Sequence, residues 1–110
     1  KLVQKDVFLN IAGGLTIQDP ALDLAVLSAV LSSNLDLPIS RETCVTGEVG
    51  LSGEIRAVSR IQQRITEAEK IGFKSMILPA DNLHGLETDK LNIRLIPVKQ
   101  VGEAFRVLFS

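Results

Sequence analysis

Residues 46–56 read Thr46-Gly47-Glu48-Val49-Gly50-Leu51-Ser52-Gly53-Glu54-Ile55-Arg56, and this stretch is the starting point for the fold. β-Favouring residues stand on both sides of Gly50-Leu51-Ser52-Gly53, so the pattern predicts a hairpin between strands at residues 44–49 and 54–58. Glycine loops that bind phosphate open a helix, usually beside a Lys-Ser/Thr pair, and this stretch has neither feature. We therefore interpret its glycines as turn positions.

Before the hairpin, Asp19-Pro20 offers an N-cap followed by a proline at the first helical position, which predicts that a helix begins here. This helix is expected to run to about Ser33. Its apolar residues cover most of its circumference, which is typical of a helix buried on nearly all sides. It is expected either to pack centrally against a sheet or to face a subunit or domain outside this chain.

The remaining segments alternate strands with helices. Residues 6–12 alternate apolar side chains up to the turn Gly13-Gly14, and two further strands are expected at 75–78 and 92–96, each followed by a proline. A helix from Ser59 is predicted to end at Gly72. Apolar residues share one face of that helix and one face of a C-terminal helix: Ile61, Ile65, Ala68 and Ile71, then Val101, Ala104, Phe105 and Leu108. This order predicts an α/β layered fold with a mixed sheet.

Composition narrows the functional classes. The chain has 110 residues, 45% of them hydrophobic, and a net charge of −1, which fits one domain and argues against binding to nucleic acid or membrane through bulk charge. One cysteine and one histidine supply neither an internal disulfide nor a structural zinc site. The longest apolar stretch, residues 22–31, is too short to span a membrane. We expect a cytoplasmic protein without a membrane role and, because the chain begins at Lys1, a piece of a longer one.

Few residues suggest chemistry on their own. Cys44 and His84 could form a nucleophile and base, but no third group orients the imidazole, so a buried thiol and a surface imidazole are the preferred interpretation. Asp19 and Asp23 lie one helical turn apart, and capping explains Asp19 better than an acid–base pair does.

Three arginines are a second candidate site. Arg60 and Arg64 stand four residues apart with Arg56 just before the helix, so the three guanidinium groups are expected on one side. Glu67 lies within reach of Arg64, and Glu48 and Glu54 are close to Arg56 in sequence. Intramolecular or solvated ion pairs are therefore the first interpretation, and a contact with a subunit or with DNA phosphates is the alternative.

The order of these motifs resembles the proteolytic domain of Lon proteases over nearly the whole chain. The matching segments are Gln18-Asp19-Pro20-Ala21-Leu22-Asp23, Thr46-Gly47-Glu48, Gly53, Ile77-Leu78-Pro79-Ala80-Asp81-Asn82 and Pro97-Val98-Lys99. The resemblance implies the layered Lon fold of the ribosomal protein S5 domain 2-like class.

Active members of that family use a Ser–Lys dyad, and the resemblance places these two positions at Ala21 and Arg64. Alanine has no nucleophile, and arginine is not deprotonated in proteins, so the dyad is replaced. The threonine that contacts the lysine in the family corresponds to Thr46, and the Asp-Gly that precedes Pro-Ser there is Gln18-Asp19 here. No catalytic residue is therefore expected in this chain.

Within that superfamily the chain resembles most the Lon-like C-terminal domains of bacterial DNA-repair ATPases. This implies that residues 1–110 are a single Lon-like domain lacking its N-terminal portion, a non-catalytic scaffold in a hexameric ring. The parent would hold ATP, Mg and Zn in upstream ATPase and zinc-finger domains, and this chain would hold no cofactor. DNA and recombination proteins such as RecA are the implied partners, in recombinational repair and branch migration.

Two other functions remain open from the sequence. A peptidase could use Ser28, Ser59 or Cys44, although no base stands at a supportive spacing. A DNA-binding surface could form at Arg56, Arg60 and Arg64.

Overall fold

A computed structural model describes residues 19–109 of the chain. The chain is α/β, with five strands and three α-helices in this part. The helices are α1 Asp23–Leu35, α2 Ile61–Ile71 and α3 Val101–Phe109, and the strands are β1 Thr43–Val45, β2 Glu48–Val49, β3 Ile55–Arg56, β4 Ser75–Pro79 and β5 Arg94–Val98. The predicted strand at 6–12 and its glycine turn lie outside the described residues.

The main sheet has three strands in the order β1-β4-β5, and both pairings are parallel. Cys44 pairs with Met76, and Ile77 pairs with Ile96. Antiparallel strand pairing within residues 19–109 is confined to the separate hairpin β2–β3 and to one bridge between Glu54 and Gln100. The α/β class is confirmed, but the main sheet is parallel rather than mixed in this part of the chain.

Strand β4 is the centre of the core because both of its faces are covered. Ile77 lies in a cluster with Leu24 of α1 and Leu108 of α3. Met76 and Leu78 point the other way, because side chains alternate along a strand, and pack with Ile65 of α2. The helices α1 and α3 therefore cover one face of the sheet and α2 the other, as expected for parallel sheets.

Helix α1 begins as the sequence predicts, through a 3₁₀ turn over Pro20–Leu22 that Asp19 caps. It continues to Leu35, two residues beyond the predicted end. The expectation of burial on nearly all sides is wrong within the described residues. One stripe is buried, formed by Leu24, Leu27, Ser28 and Leu31, while Leu22 on the opposite side is 48% exposed.

The predicted hairpin is confirmed, but its first strand divides into two. Val45 ends β1 in the main sheet, and Glu48 begins β2 in the hairpin. Between them the Gly47 carbonyl accepts the Leu24 amide at 3.0 Å, and the Gly47 amide donates to the Ala21 carbonyl at 3.0 Å. Pairing with the start of α1 thus replaces strand pairing at this point, which a pattern of β-favouring residues does not reveal.

Helix α2 begins at Ile61 instead of Ser59, because Arg60 has a left-handed backbone with φ of 58°. Its predicted C-terminus is confirmed, since Gly72 has φ of 113° and its amide donates to the Ala68 carbonyl. Ile65 and Ala68 are buried as expected. Ile71 is 68% exposed, so its assignment to the buried face was wrong.

The last strand shows how proline can stand inside a sheet. Strand β5 runs to Val98, past the predicted end at Pro97. Because β5 is an edge strand of the main sheet within residues 19–109, its outer side needs no ladder hydrogen bond from Pro97 in this part of the chain. Helix α3 follows as predicted, with Ala104 and Leu108 buried. None of the helices in residues 19–109 is long and apolar enough to cross a membrane.

Replacement of two glycines by alanine should have opposite effects on stability. A Cβ at Gly47 would stand 3.0 Å from Ile55 Cγ2 and 3.4 Å from Leu24 Cδ2, so Gly47→Ala should lower the free energy of unfolding by about 1–3 kcal/mol. A Cβ at Gly102 in α3 meets no atom closer than 4.0 Å, so Gly102→Ala should raise it by about 0.4–1 kcal/mol. Urea unfolding measures the free energy of unfolding of both variants. Equal changes in the two variants would contradict the close packing of Gly47 against Ile55 and Leu24.

Candidate functional site

The two positions that the resemblance to Lon proteases assigns to the dyad meet at one carboxylate. Asp19 Oδ1 accepts the Ala21 amide at 3.0 Å, which caps the first turn before α1. Asp19 Oδ2 accepts hydrogen bonds from both terminal nitrogens of Arg64, each at a distance of 3.4 Å. The structure therefore brings Ala21 and Arg64 together through Asp19, although Asp19 and Arg64 are far apart in sequence.

The guanidinium group of Arg64 makes structural contacts. Its Nε donates to the Ser59 carbonyl at 2.8 Å, and its side chain is 26% exposed against 45% for that of Asp19. A guanidinium stays protonated in proteins, so Arg64 cannot accept a proton from a nucleophile. The ion pair with Asp19 takes the place of the contact with Glu67 that spacing along the helix suggested.

Ala21 and Thr46 complete the neighbourhood. Ala21 is 3% exposed, and its carbonyl accepts the Thr46 hydroxyl at 3.3 Å. Thr46 is itself buried, so its hydroxyl is directed to backbone instead of a reacting group. No nucleophile is present at Ala21, and the arrangement fixes the start of α1 against the end of β1.

Arg56 is neutralised within the hairpin. Its guanidinium lies 2.8 Å from Glu54 and 3.4 Å from Glu48, and Glu48 is its direct partner across the strands. The hydrogen bond from Arg56 holds the pKa of the Glu54 carboxyl below its ordinary value. The first interpretation, an intramolecular ion pair, is therefore correct for Arg56 and for Arg64.

Arg60 differs from the other two arginines. It is exposed, it precedes α2 in a left-handed conformation, and within residues 19–109 it pairs with no carboxylate. Among these three arginines, one free cation remains in the described part of the chain.

The alternative nucleophiles are poorly placed for attack on a peptide. Ser28 is 1% exposed in α1, and its hydroxyl has no hydrogen-bond partner among residues 19–109. The Cys44 thiol donates to the Ser75 carbonyl at 3.5 Å, and burial raises its pKa, which disfavours the thiolate. Ser59 and His84 are exposed. No group of three His, Cys, Asp or Glu residues suited to a metal ion occurs in the described range.

Sequence reasoning missed the role of Asp23. Its Oδ2 accepts the Val49 amide at 3.1 Å, which ties the first turn of α1 to strand β2. Burial of the carboxylate raises its pKa, and the nearby charges of Glu48 and Asp19 act in the same direction. Asp23 is therefore a link between α1 and the hairpin. No signal in the sequence identifies an amide donor 26 residues away.

A groove of about 800 Å³ lies away from the dyad positions, between α2 and residues 86–91. Two hydrogen bonds of 3.0 Å hold the Gln62 amide to the backbone of Glu87, and both residues line this groove. Its lining mixes charges of both signs: Glu69, Lys70, Glu87, Asp89 and Lys90. This mixture defines no one ligand chemistry.

Comparisons with known proteins place the chain in a family. The chain belongs to the family described as subunit ChlI of Mg-chelatase, whose sequence model matches residues 1–82. Among individual proteins, it is 49% identical over 105 residues to the DNA repair protein RadA of Bacillus subtilis, which covers 96% of the chain and 23% of that protein. It is 42% identical over 109 residues to DNA repair protein RadA of Streptococcus pneumoniae, over 99% of the chain and 26% of that protein.

A third relative, DNA repair protein RadA of Listeria monocytogenes, is 42% identical over 105 residues, which are 96% of the chain and 23% of that protein. The chain thus spans about a quarter of the length of these curated relatives.

Two substitutions of Asp23 should separate the effect of its charge on stability from the effect of its hydrogen bond. Asp23→Ala leaves the buried Val49 amide without its acceptor and should lower the free energy of unfolding by about 1–3 kcal/mol. Asp23→Asn keeps an acceptor and should leave stability close to that of the unsubstituted chain at low pH. Because the folded state raises this pKa, the native carboxyl destabilises the fold as pH rises from the ordinary aspartate range through the raised pKa.

Asp23→Asn should therefore become more stable relative to the unsubstituted chain over that pH window. Urea unfolding measures the difference in free energy of unfolding between the two proteins. The range from about pH 3.5 to about pH 7 begins near the ordinary pKa of a carboxyl group and extends above it. A difference that stays constant or shrinks as pH rises would show that the Asp23 carboxylate is not destabilised by burial.

Proposed function

We propose that this chain is a non-catalytic, Lon-like scaffold and oligomerisation domain of a RadA-type, DNA-dependent ATPase. In this proposal, residues 1–110 belong to one Lon-like domain. The rest of the intact protein, about three quarters of the length of the relatives, carries the ATPase and zinc-finger domains. The intact protein acts in recombinational DNA repair and branch migration.

One observation carries the non-catalytic part of the proposal. Arg64, at the position of the Lon lysine, is paired with Asp19, whose other oxygen caps Ala21 at the position of the Lon serine. A general base must lose its proton, which arginine does not do, and alanine has no hydroxyl to activate. The residues at these positions connect α1 with the start of α2 and have no catalytic groups.

The proposal assigns cofactors and partners to the intact protein. ATP, Mg and Zn belong to its other domains, and six copies form a ring in the cytoplasm. DNA contacts the full assembly, and recombination proteins such as RecA are its partners. The net charge of this chain is only −1, so its own electrostatic field does not attract DNA. This charge supports a scaffold that holds the DNA-binding parts of the intact protein in place.

The scaffold role can be tested on the intact protein with nucleotide and DNA present. Sedimentation velocity should give a mass of several copies, and deletion of residues 19–109 should reduce it, because the proposed ring depends on this domain. The same sample should hydrolyse neither casein nor a fluorogenic peptide above the buffer rate.

An active Lon-type protease on the same substrates provides the positive control. The scaffold role would be rejected if the intact protein stayed monomeric at high concentration. Peptide turnover that disappears with Ser28→Ala, Ser59→Ala or Cys44→Ala would replace it with the peptidase function.

A second candidate role, contact with DNA phosphates, rests on Arg60 alone. Arg56 and Arg64 are neutralised by carboxylates, so only Arg60 of the three is free to add charge to a DNA surface. Arg60→Ala in the intact protein should weaken DNA binding and reduce the slope of log K against log salt by about one. Fluorescence anisotropy across a salt series measures both.

The matched control is Arg94→Ala, which removes one exposed positive charge at the start of β5. This variant should leave the affinity and the salt slope unchanged. Equal behaviour of Arg60→Ala and Arg94→Ala would remove Arg60 from the DNA-contact candidates.

A further inference from the structure

The side chain of Asn82 holds the backbone of Val58 at two points. Asn82 lies in a 3₁₀ turn over Ala80–Leu83 that follows β4. Its Oδ1 accepts a hydrogen bond from the Val58 amide at 2.9 Å, and its Nδ2 donates to the Val58 carbonyl at 3.0 Å. A side-chain amide that binds both polar groups of one residue takes the place of a partner strand. The chain is therefore fixed at Val58, just beyond the end of β3.

The residue after Val58 is fixed by a second contact. The Ser59 carbonyl accepts a hydrogen bond from Arg64 Nε at 2.8 Å. Arg64 lies in α2 and is itself paired with Asp19. The two residues before Arg60 thus have side-chain partners from two different elements. We term residues 58–60 the held turn.

Arg60 ends the held turn in a left-handed conformation, with φ of 58° and ψ of 38°. This conformation crowds the Cβ of an L-residue, so a residue other than glycine stays there only where its surroundings fix it. The contacts at Val58 and Ser59 fix the backbone before Arg60. On the other side, the Arg60 carbonyl accepts the Arg64 amide at 3.0 Å. Because the backbone is fixed on both sides, the direction of the Cα–Cβ bond of Arg60 is fixed as well.

The held turn presents a cation that no carboxylate neutralises within residues 19–109. Arg60 is exposed, and the ion pairs in this range involve Arg56 and Arg64 instead. A long arginine side chain loses conformational freedom when it binds a phosphate, which opposes binding. A backbone that is already fixed beneath the side chain reduces this loss.

We propose that Asn82 is a positioning residue for Arg60. Its two hydrogen bonds to Val58 keep the held turn in the conformation from which the Arg60 guanidinium contacts a DNA phosphate. The inference rests on the proposed contact between Arg60 and DNA, and it adds the residue that prepares this contact. Asn82 is uncharged and half-buried, with its amide directed to the Val58 backbone, so it acts through Arg60 without a DNA contact of its own.

A purely structural role for Asn82 predicts a different result. Two hydrogen bonds that served stability alone would affect DNA binding to the same extent whether or not the Arg60 side chain is present. The positioning role predicts that the effect of Asn82 on DNA binding requires Arg60. A double-mutant cycle on these two residues measures this coupling directly.

The first test removes the Asn82 amide in the intact protein. Asn82→Ala, Arg60→Ala and the double variant are compared by fluorescence anisotropy on a DNA duplex, and thermal unfolding monitors the fold. Asn82→Ala should weaken DNA binding about two- to tenfold, because the released turn must be ordered again when DNA binds. In the Arg60→Ala background, the same substitution should leave the affinity unchanged.

Gln62→Ala is the matched control. The Gln62 amide also forms two hydrogen bonds to the backbone of one residue, Glu87, at 3.0 Å each. This control should lower the thermal midpoint as Asn82→Ala does, because both variants lose two similar hydrogen bonds. It should leave the affinity for DNA unchanged, because Glu87 lies outside the held turn.

A second variant acts on the other contact of the held turn and keeps the charge. Arg64→Lys retains a positive charge beside Asp19 but has no Nε–H donor for the Ser59 carbonyl. It should also weaken DNA binding, and again only when Arg60 is present. If Asn82→Ala does not fold, the comparison of Arg64→Lys with and without Arg60→Ala decides the inference.

Three results would overturn the inference. If Arg60→Ala weakens DNA binding while Asn82→Ala and Arg64→Lys bind as the unsubstituted protein does, the contact of Arg60 with DNA stands without a positioning residue. If Asn82→Ala weakens binding equally in the presence and absence of Arg60, or no more than Gln62→Ala does, its role is structural. If Arg60→Ala leaves DNA binding unchanged, the DNA contact itself fails, and the inference fails with it.

Discussion

The main-chain hydrogen bonds of Thr46 and Gly47 are the constraint on which the rest of the structure depends. The Thr46 amide donates to the Ile77 carbonyl in the central strand β4. The Gly47 amide and carbonyl bond to Ala21 and Leu24 at the start of α1. Two adjacent residues thus connect the main sheet, the hairpin and the first helix. Because a Cβ at Gly47 would crowd Ile55 and Leu24, glycine fits this junction better than any residue with a side chain.

Asp19 and Asp23 extend this junction to the other elements. Asp19 caps the first turn before α1 and also pairs with Arg64 of α2, so one carboxylate connects helices on opposite faces of the sheet. Asp23 joins α1 to β2 through the Val49 amide. A half-exposed ion pair such as that between Asp19 and Arg64 contributes only about 0–1 kcal/mol. Each partner is also held by a backbone group near it, Asp19 by the Ala21 amide and Arg64 by the Ser59 carbonyl, so the pair forms between side chains that are already oriented.

The sequence predicted those parts of the fold that depend on local signals. The cap at Asp19, the glycine that ends α2 and the apolar face of α3 are each set by residues within a turn or two. The errors occur where a distant partner decides. Arg64 pairs with Asp19 instead of Glu67, which is nearer to it in the sequence. The strand predicted at 44–49 divides because the start of α1 forms hydrogen bonds with Gly47. The dyad positions came from family resemblance, since composition and spacing alone do not relate Ala21 to Arg64.

The burial of helix α1 was predicted wrongly for the same reason. A single sequence reports the total apolar surface of a helix, but it does not report which molecule covers each side. The side with Leu24 and Leu31 is covered by this chain, while Leu22 and Ala29 remain exposed. Which stripe of α1 is buried is thus decided by where β4 and α3 lie, and not by how many apolar residues the helix carries.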